Sequence, residues 1–258
     1  MREQNMREQN MSALLELAVQ DKRYGTRAVL QGFHLRLDAG DVVSLIGASG
    51  CGKSSLLSIA AGLDPHFRGS VRLRGQATTG PDPEIGLIFQ EPRLFPWLTV
   101  AQNIAFGAPA QGHDTSHDAG RIDALLEEVG LAGYGAALPK QLSGGQAQRV
   151  ALARGLYTEP RVLLLDEPFS AVDAFTRMRL QDLLARVASE RRLTVLLVTH
   201  DIDEALYLSD RIVLMDGRPG PARAEFAVGQ ARPRARSDLA GAALKASILD
   251  SLHAVHAI

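Results

Sequence analysis

The chain is short of cysteine, of charge bias and of long apolar runs, and each shortage removes a class of protein. Cys51 is the only cysteine in 258 residues, so no internal disulfide can form and no oxidising compartment is required. Lys and Arg number 28 against 29 Asp and Glu, a formal net charge of −1. That balance gives neither the global basic excess of a nucleic-acid binder nor the acidic excess of a solvating tail. No apolar stretch reaches the roughly 18 residues a transmembrane helix needs. The opening MREQNMREQNM is polar and lacks the apolar centre of a secretory signal. A cytoplasmic protein is expected, one that serves a membrane only through a partner. MREQN occurs twice in tandem, and residues 1–11 are expected to be a disordered leader or an upstream-start artefact, with Met11 as the start.

What is present suits a globular chain. Hydrophobic residues make up 46% and charged residues 22%, enough to build a core, and the length fits one large α/β domain with a short appendage or at most two small domains. LLELAVQ and FHLRLDAGD alternate as half-buried strands do, and SVRLRG alternates again. VVSLIG, IGLIFQ, RVLLLD and TVLLVTH are continuous apolar runs suited to central strands, and RIVLMDG closes the run of strands. Helical spacing marks KSSLLSIAAGL, RIDALLEEVGL, QAQRVALARGLY, the stretch 174–191 and a last helix near 238–253. GAPAQGHDTSHDAG reads as a surface loop, and the composition after Arg218 reads as linker. Strand–loop–helix repeats with buried strands imply a mostly parallel sheet covered by helices, with a helical insert between Gln90 and Arg161.

Gly47-Ala48-Ser49-Gly50-Cys51-Gly52-Lys53-Ser54 fits the phosphate-loop pattern G-x-x-x-x-G-K-[ST], between an expected strand and an expected helix. Glycines let the backbone curl so that N–H groups converge on phosphate oxygens, and the helix adds the positive end of its dipole. Lys53 would neutralise the β and γ phosphates, Ser54 would ligate Mg²⁺, and Ser55 would add a phosphate hydrogen bond. Cys51 reads as a bystander in this loop, close enough to nucleotide for ATP to protect it from alkylation. The strand VLLL delivers Asp166 and Glu167 at its C-terminal end, where an open α/β sheet places ligand groups. Asp166 would hold Mg²⁺ through water and Glu167 would polarise the attacking water. Two adjacent acids repel, and a bound cation offsets that.

Leu142-Ser143-Gly144-Gly145-Gln146 resembles the signature sequence of the ABC (ATP-binding cassette) family, and the other family motifs occur in order. Tyr24 resembles the aromatic that stacks on adenine, Gln90 the glutamine of the Q-loop, Ser170-Ala171-Val172-Asp173 the D-loop and His200 the switch histidine. The resemblance covers about residues 12–220. It implies a P-loop NTPase (ABC ATPase) α/β core with an antiparallel β lobe and an inserted helical subdomain at about 91–160, followed by a C-terminal linker and short helix over 221–258. It implies ATP and Mg²⁺ as cofactors, and two cassettes paired head to tail. Ser143, Gly144, Gly145 and Gln146 of one cassette would then face the γ-phosphate held by the other. Gln90 would touch Mg²⁺ and the attacking water and report to the membrane partner, His200 would hydrogen-bond the γ-phosphate and orient Glu167, and Asp173 would couple the two sites. Outside the resemblance, Tyr24 could be a surface tyrosine, Gln90 a polar strand end and His200 a helix cap in the THD-x-x-E start.

The segments 91–100 and 167–177 resemble the nitrate/sulfonate/taurine importers, although Gln146 stands where that group often has methionine and Ser170-Ala171-Val172 replaces glycine-alanine-leucine. An importer ATPase is therefore expected at the cytoplasmic face of the inner membrane. Its partners would be membrane-spanning permease subunits, a periplasmic or extracellular substrate-binding protein and a second ATPase subunit, with no nucleic acid. An exporter ATPase and a soluble ABC ATPase are the alternatives. Pro96-Trp97-Leu98 reads as an exposed docking patch or, with Phe95, as core. His113, His117, His253 and His256 read as solvated histidines rather than metal ligands.

Overall fold

The computed structural model describes residues 13–106, 115–236 and 242–256. Two compact units are formed by the described residues of Met1–Asp82 with Ala185–Ile258 and of Pro83–Leu184. The leader and His113 lie outside the described residues, as do the side chains of His117 and His256.

The first unit holds two sheets. β1 (Ala13–Tyr24), β2 (Arg27–Asp38), β4 (Arg68–Leu73) and β5 (Gln76–Ala77) pair in the order β2-β1-β4-β5, antiparallel throughout. The alternation foreseen for these segments fixes their register. Leu15, Leu17 and Val19 are buried along β1, and Phe33, Leu35 and Leu37 along β2. In the second sheet β3 (Val42–Gly47) lies between β8 (Thr194–Val198) and β9 (Arg211–Met215), parallel to both. Every residue of Val42–Ile46 and of β8 is buried, as a strand covered on both faces requires. α1 (Lys53–Ala60) follows β3, α6 (Ile202–Leu208) follows β8, and α7 (Ala242–His256) ends the chain.

The second unit pairs β6 (Ile85–Ile88) with β7 (Val162–Asp166) in parallel. With them go α2 (Val100–Ala105), α3 (Thr115–Glu128), α4 (Gly144–Tyr157) and the start of α5 (Ala174–Glu190). α4 approaches β6 closely because both carry glycine at the contact. A Cβ on Gly86 would lie 2.8 Å from the carbonyl oxygen of Gly155, and one on Gly155 would lie 3.0 Å from Ile88 Cγ1. A mid-helix glycine costs about 1 kcal/mol relative to alanine, and this close packing is its return.

The structure corrects three expectations. RIVLMDG does not close the strands, because β10 (Ala224–Ala227) pairs antiparallel with β9 inside the segment read as linker. The expected loop 107–120 is helical from Thr115, where polar Thr-Ser-His-Asp forms an ordinary first turn. The two opening strands are each 12 residues long, well beyond the alternating cores that marked them.

Candidate active site

In the first unit the phosphate loop runs from the end of β3 into α1, and two of its glycines are enforced by their surroundings. Gly47 has φ 151°, and a Cβ there would meet the Met215 carbonyl oxygen at 2.5 Å. Gly52 has φ 104°, and its Cβ would meet Leu30 Cδ2 at 2.7 Å. Gly50 also has positive φ, and it lies exposed with Ser49. No side chain caps α1, so its first-turn N–H groups are left for an anion. Lys53 is buried, and its Nζ donates to the carbonyl oxygens of Gly47 and Ala48, each at 2.9 Å. Ser54 is exposed at the helix start. Cys51 is only 4% exposed, with its Sγ 3.8 Å from Lys53 Nζ. The loop itself covers most of the thiol.

Tyr24 ends β1 beside this loop. Its hydroxyl lies 3.3 Å from Ser55 Oγ and donates to Asp64 at 3.3 Å, while 54% of the residue stays exposed. Beneath it, Lys22 is 2% exposed, forms an ion pair with Asp64 at 2.5 Å, and stands 4.5 Å from the Tyr24 ring centroid. Burial alone would raise the Asp64 carboxyl, but hydrogen bonds from Lys22, the His66 N–H and Tyr24, with the Lys22 charge, hold it below the usual carboxylate range. Lys22 and Asp64 escaped the sequence reading. They meet across about forty residues and carry no local signal.

His200 lies exposed after β8. It does not cap α6. That role belongs to Asp201, whose Oδ1 accepts from the N–H groups of Asp203 at 2.9 Å and Glu204 at 3.2 Å.

In the second unit Gln90 is exposed two residues beyond β6. Asp166 ends β7 and Glu167 follows it, both half-buried. Glu167 has φ 44°, a left-handed backbone that a non-glycine residue adopts at a cost of about 1–3 kcal/mol. The Ser170 hydroxyl and N–H both return to the Glu167 carbonyl oxygen, at 2.9 and 3.2 Å, and hold that turn.

Ser143 caps α4. Its Oγ accepts from the Gln146 N–H at 3.3 Å, and Gln146 Oε1 accepts from the Ser143 N–H at 2.8 Å. This reciprocal cap gives Gln146 a part in holding the start of α4. The S-x-x-Q spacing was readable in the sequence and went unread. Gly144 is exposed with nothing near its Cβ direction, whereas a Cβ on Gly145 would come within 2.3 Å of Thr176 Cγ2. The signature loop and the segment after Ser170 are thus neighbours. Asp173 accepts from the Thr176 N–H at 3.0 Å, and the Thr176 side chain and N–H together hold its carboxyl below the usual range.

Beyond Gln90, Trp97 is 72% exposed and so is not part of the core. Phe95 packs against it and against exposed Phe106, at centroid distances of 5.7 and 4.3 Å. Buried Asn103 pins the segment, accepting from the Phe95 N–H and donating to the carbonyl oxygens of Phe95, Leu98 and Thr99. Arg154, its basicity lowered by burial, donates to the carbonyl oxygens of Pro92 and Arg93. Neither residue was singled out from sequence.

The ABC transporter family profile matches residues 30–170. The chain is 56% identical over 248 residues to an aliphatic sulfonates import ATP-binding protein of Xanthomonas axonopodis pv. citri, covering 95% of this chain and 98% of that protein. A protein of the same description from Pseudomonas aeruginosa is 56% identical over 254 residues, covering 96% of this chain and 100% of the relative. Among solved structures, a dimeric ATP-binding cassette in a post-hydrolysis state bound to ADP and phosphate aligns with TM-score 0.72 and 30% identity, covering 84% of this chain and 100% of that one. A subunit of an ABC transporter complex from Clostridium perfringens aligns with TM-score 0.75 and 26% identity, covering 84% of this chain and 89% of that one.

Proposed function

The chain belongs to the ABC transporter family, and on that premise we propose that it is the ATP-hydrolysing subunit of an importer for aliphatic sulfonates. The observation that carries the cargo class is the 56% identity over nearly the whole of both chains to aliphatic sulfonates import proteins. Exporter and soluble-ATPase readings draw nothing from these relatives. Nitrate gives way to an aliphatic sulfonate, the class to which taurine also belongs.

In this reading the phosphate loop wraps the triphosphate of ATP with its backbone N–H groups, and Lys53 leaves its loop carbonyls to face the β and γ phosphates. Tyr24 stacks on adenine. The oxygen donors Ser54, Asp166 and Gln90 would hold Mg²⁺, which would neutralise phosphate charge. Glu167 accepts a proton from the attacking water, and His200 hydrogen-bonds the γ-phosphate and orients Glu167. Ser143, Gly144 and Gly145 of a second copy present a hydroxyl and N–H groups to the same phosphate, Gln146 keeps that loop in shape, and Asp173 couples the two sites. The catalytic gain is positioning and charge stabilisation.

No helix among the described residues is long and apolar enough to cross a membrane. In the proposed assembly a permease carries the membrane attachment on the cytoplasmic face, docked on the exposed Trp97 and Phe106 rings, with a substrate-binding protein supplying cargo from the other side.

The test is uptake of radiolabelled ethanesulfonate into proteoliposomes holding this chain with the permease and binding protein that co-purify with it, with ATP on the side of the ATPase. ATP-dependent accumulation that is lost in Lys53→Ala is the expected result. Efflux, or accumulation of nitrate in place of the sulfonate, contradicts the proposal.

A further inference from the structure

β1 changes face before it reaches the phosphate loop. Leu15, Leu17 and Val19 are buried at odd positions, yet the next buried residue is Lys22, at an even one. The register gives the reason. Val19 pairs with Gly69 and Asp21 with Arg68, so Gln20 is an extra residue on β1, a bulge. Alternation resumed after the bulge turns Lys22 inward and sets Tyr24 on the same side, toward α1.

A buried ammonium needs partners, and those of Lys22 converge on one ring. Its Nζ meets Asp64 at 2.5 Å, donates to the His66 carbonyl oxygen at 3.0 Å and lies over one face of Tyr24, 4.5 Å from the ring centroid. Asp64 is fixed at both oxygens. Oδ1 accepts from the His66 N–H at 3.0 Å, and Oδ2 takes Lys22 together with the Tyr24 hydroxyl at 3.3 Å. The same hydroxyl stands 3.3 Å from Ser55 Oγ in the first turn of α1. The ring is therefore held at its hydroxyl and on one face, although 54% of the residue is exposed. Lys22 occupies the covered face, so a flat ligand can stack only on the other. An exposed tyrosine without these holds would move among rotamers, and a ligand would lose affinity in ordering it. Stability alone does not call for the pair, since an apolar pair of similar volume serves a core equally well.

We propose that Lys22 and Asp64 are positioning residues for the nucleotide: the buried ion pair presets the Tyr24 ring as the shelf on which adenine stacks. The inference rests on the reading of Tyr24 as the adenine-stacking residue and adds what makes that ring ready before nucleotide arrives. Neither Lys22 nor Asp64 touches the nucleotide. Both act through Tyr24, so their effect on binding must vanish when the ring is removed.

The experiment is isothermal titration of the full chain with ADP, run as a double-mutant cycle. Lys22→Met with Asp64→Leu removes the pair together and strands no charge, so the fold is kept. This variant should bind ADP about fivefold more weakly than wild type. Tyr24→Ala should weaken ADP about tenfold, and adding Lys22→Met with Asp64→Leu to it should cost nothing further. Tyr24→Phe leaves the buried pair intact and removes only the hydroxyl tether; it should weaken ADP about threefold, and it keeps the test decisive should the pair variant not fold. Unchanged ADP affinity without the pair, the same loss with and without the Tyr24 ring, or wild-type affinity in Tyr24→Phe overturns the proposal. The two readings fail differently. Wild-type ADP affinity in Tyr24→Ala removes the stacking role itself, whereas a loss there with none in the pair variant removes only the positioning role.

Discussion

Lys22 is a buried ammonium whose burial is permitted by one carboxylate. With Asp64 at 2.5 Å and the His66 carbonyl oxygen at 3.0 Å it is paired and hydrogen-bonded, and its charge stands behind the Tyr24 ring. Removing one partner strands the other, so Lys22→Met should cost about 3 kcal/mol at pH 7 in urea unfolding. The pH dependence follows from the direction of the Asp64 shift. Its folded pKa lies below the unfolded one, so the pair's contribution is present above the unfolded value, about 3.9, and fades as pH falls through the folded value. The gap between wild type and Lys22→Met should therefore hold from pH 7 to about 5 and narrow below 4. A gap constant down to pH 2 would contradict the assignment. The phosphate-loop, Walker-type acid and signature residues were legible because each set is contiguous and its chemistry is fixed by spacing. Lys22, Asp64, Asn103 and Arg154 were not, because their partners are set by the tertiary fold and leave no pattern along the chain.

At the scale of elements, glycine decides how strands and helices meet. Gly47 combines φ 151° with a backbone carbonyl oxygen 2.5 Å from any Cβ, and backbone cannot swing aside as a side chain can. Gly47→Ala should lower stability by about 2 kcal/mol and abolish measurable ATP binding, read by thermal melting and by fluorescent-nucleotide titration. Gly144→Ala, which meets nothing within 4 Å, should melt within a degree or two of wild type. Equal melting of the two variants would contradict the loop geometry. Strands with a strong apolar pattern, such as β3, β7 and β8, were readable from sequence alone. β10 was not: Ala-Glu-Phe-Ala sits among Gly, Pro and Arg, and pairing with β9 overrides its weak local preference. The start of α3 hid for the opposite reason, since a polar first turn resembles a loop until its hydrogen bonds are seen.

Across the whole molecule the chemistry is divided. Tyr24, Lys53, Ser54 and His200 belong to one compact unit, and Gln90, Asp166, Glu167 and the signature loop to the other. Sequence order interleaves these residues, so the motifs could be read along the chain but not which compact unit holds each. Ala- or Gln-substitution of a phosphate-binding residue should raise the KM for ATP, whereas loss of the base should lower kcat and spare binding. The measurement that bears most directly on the account is steady-state Mg-ATP hydrolysis by the purified full chain beside Glu167→Gln, with nucleotide affinity measured on both. The account predicts saturable turnover in the wild type and at least about a 100-fold loss in the variant, with ATP affinity retained. A variant that keeps most of the wild-type rate would remove Glu167 from the chemistry and contradict the account.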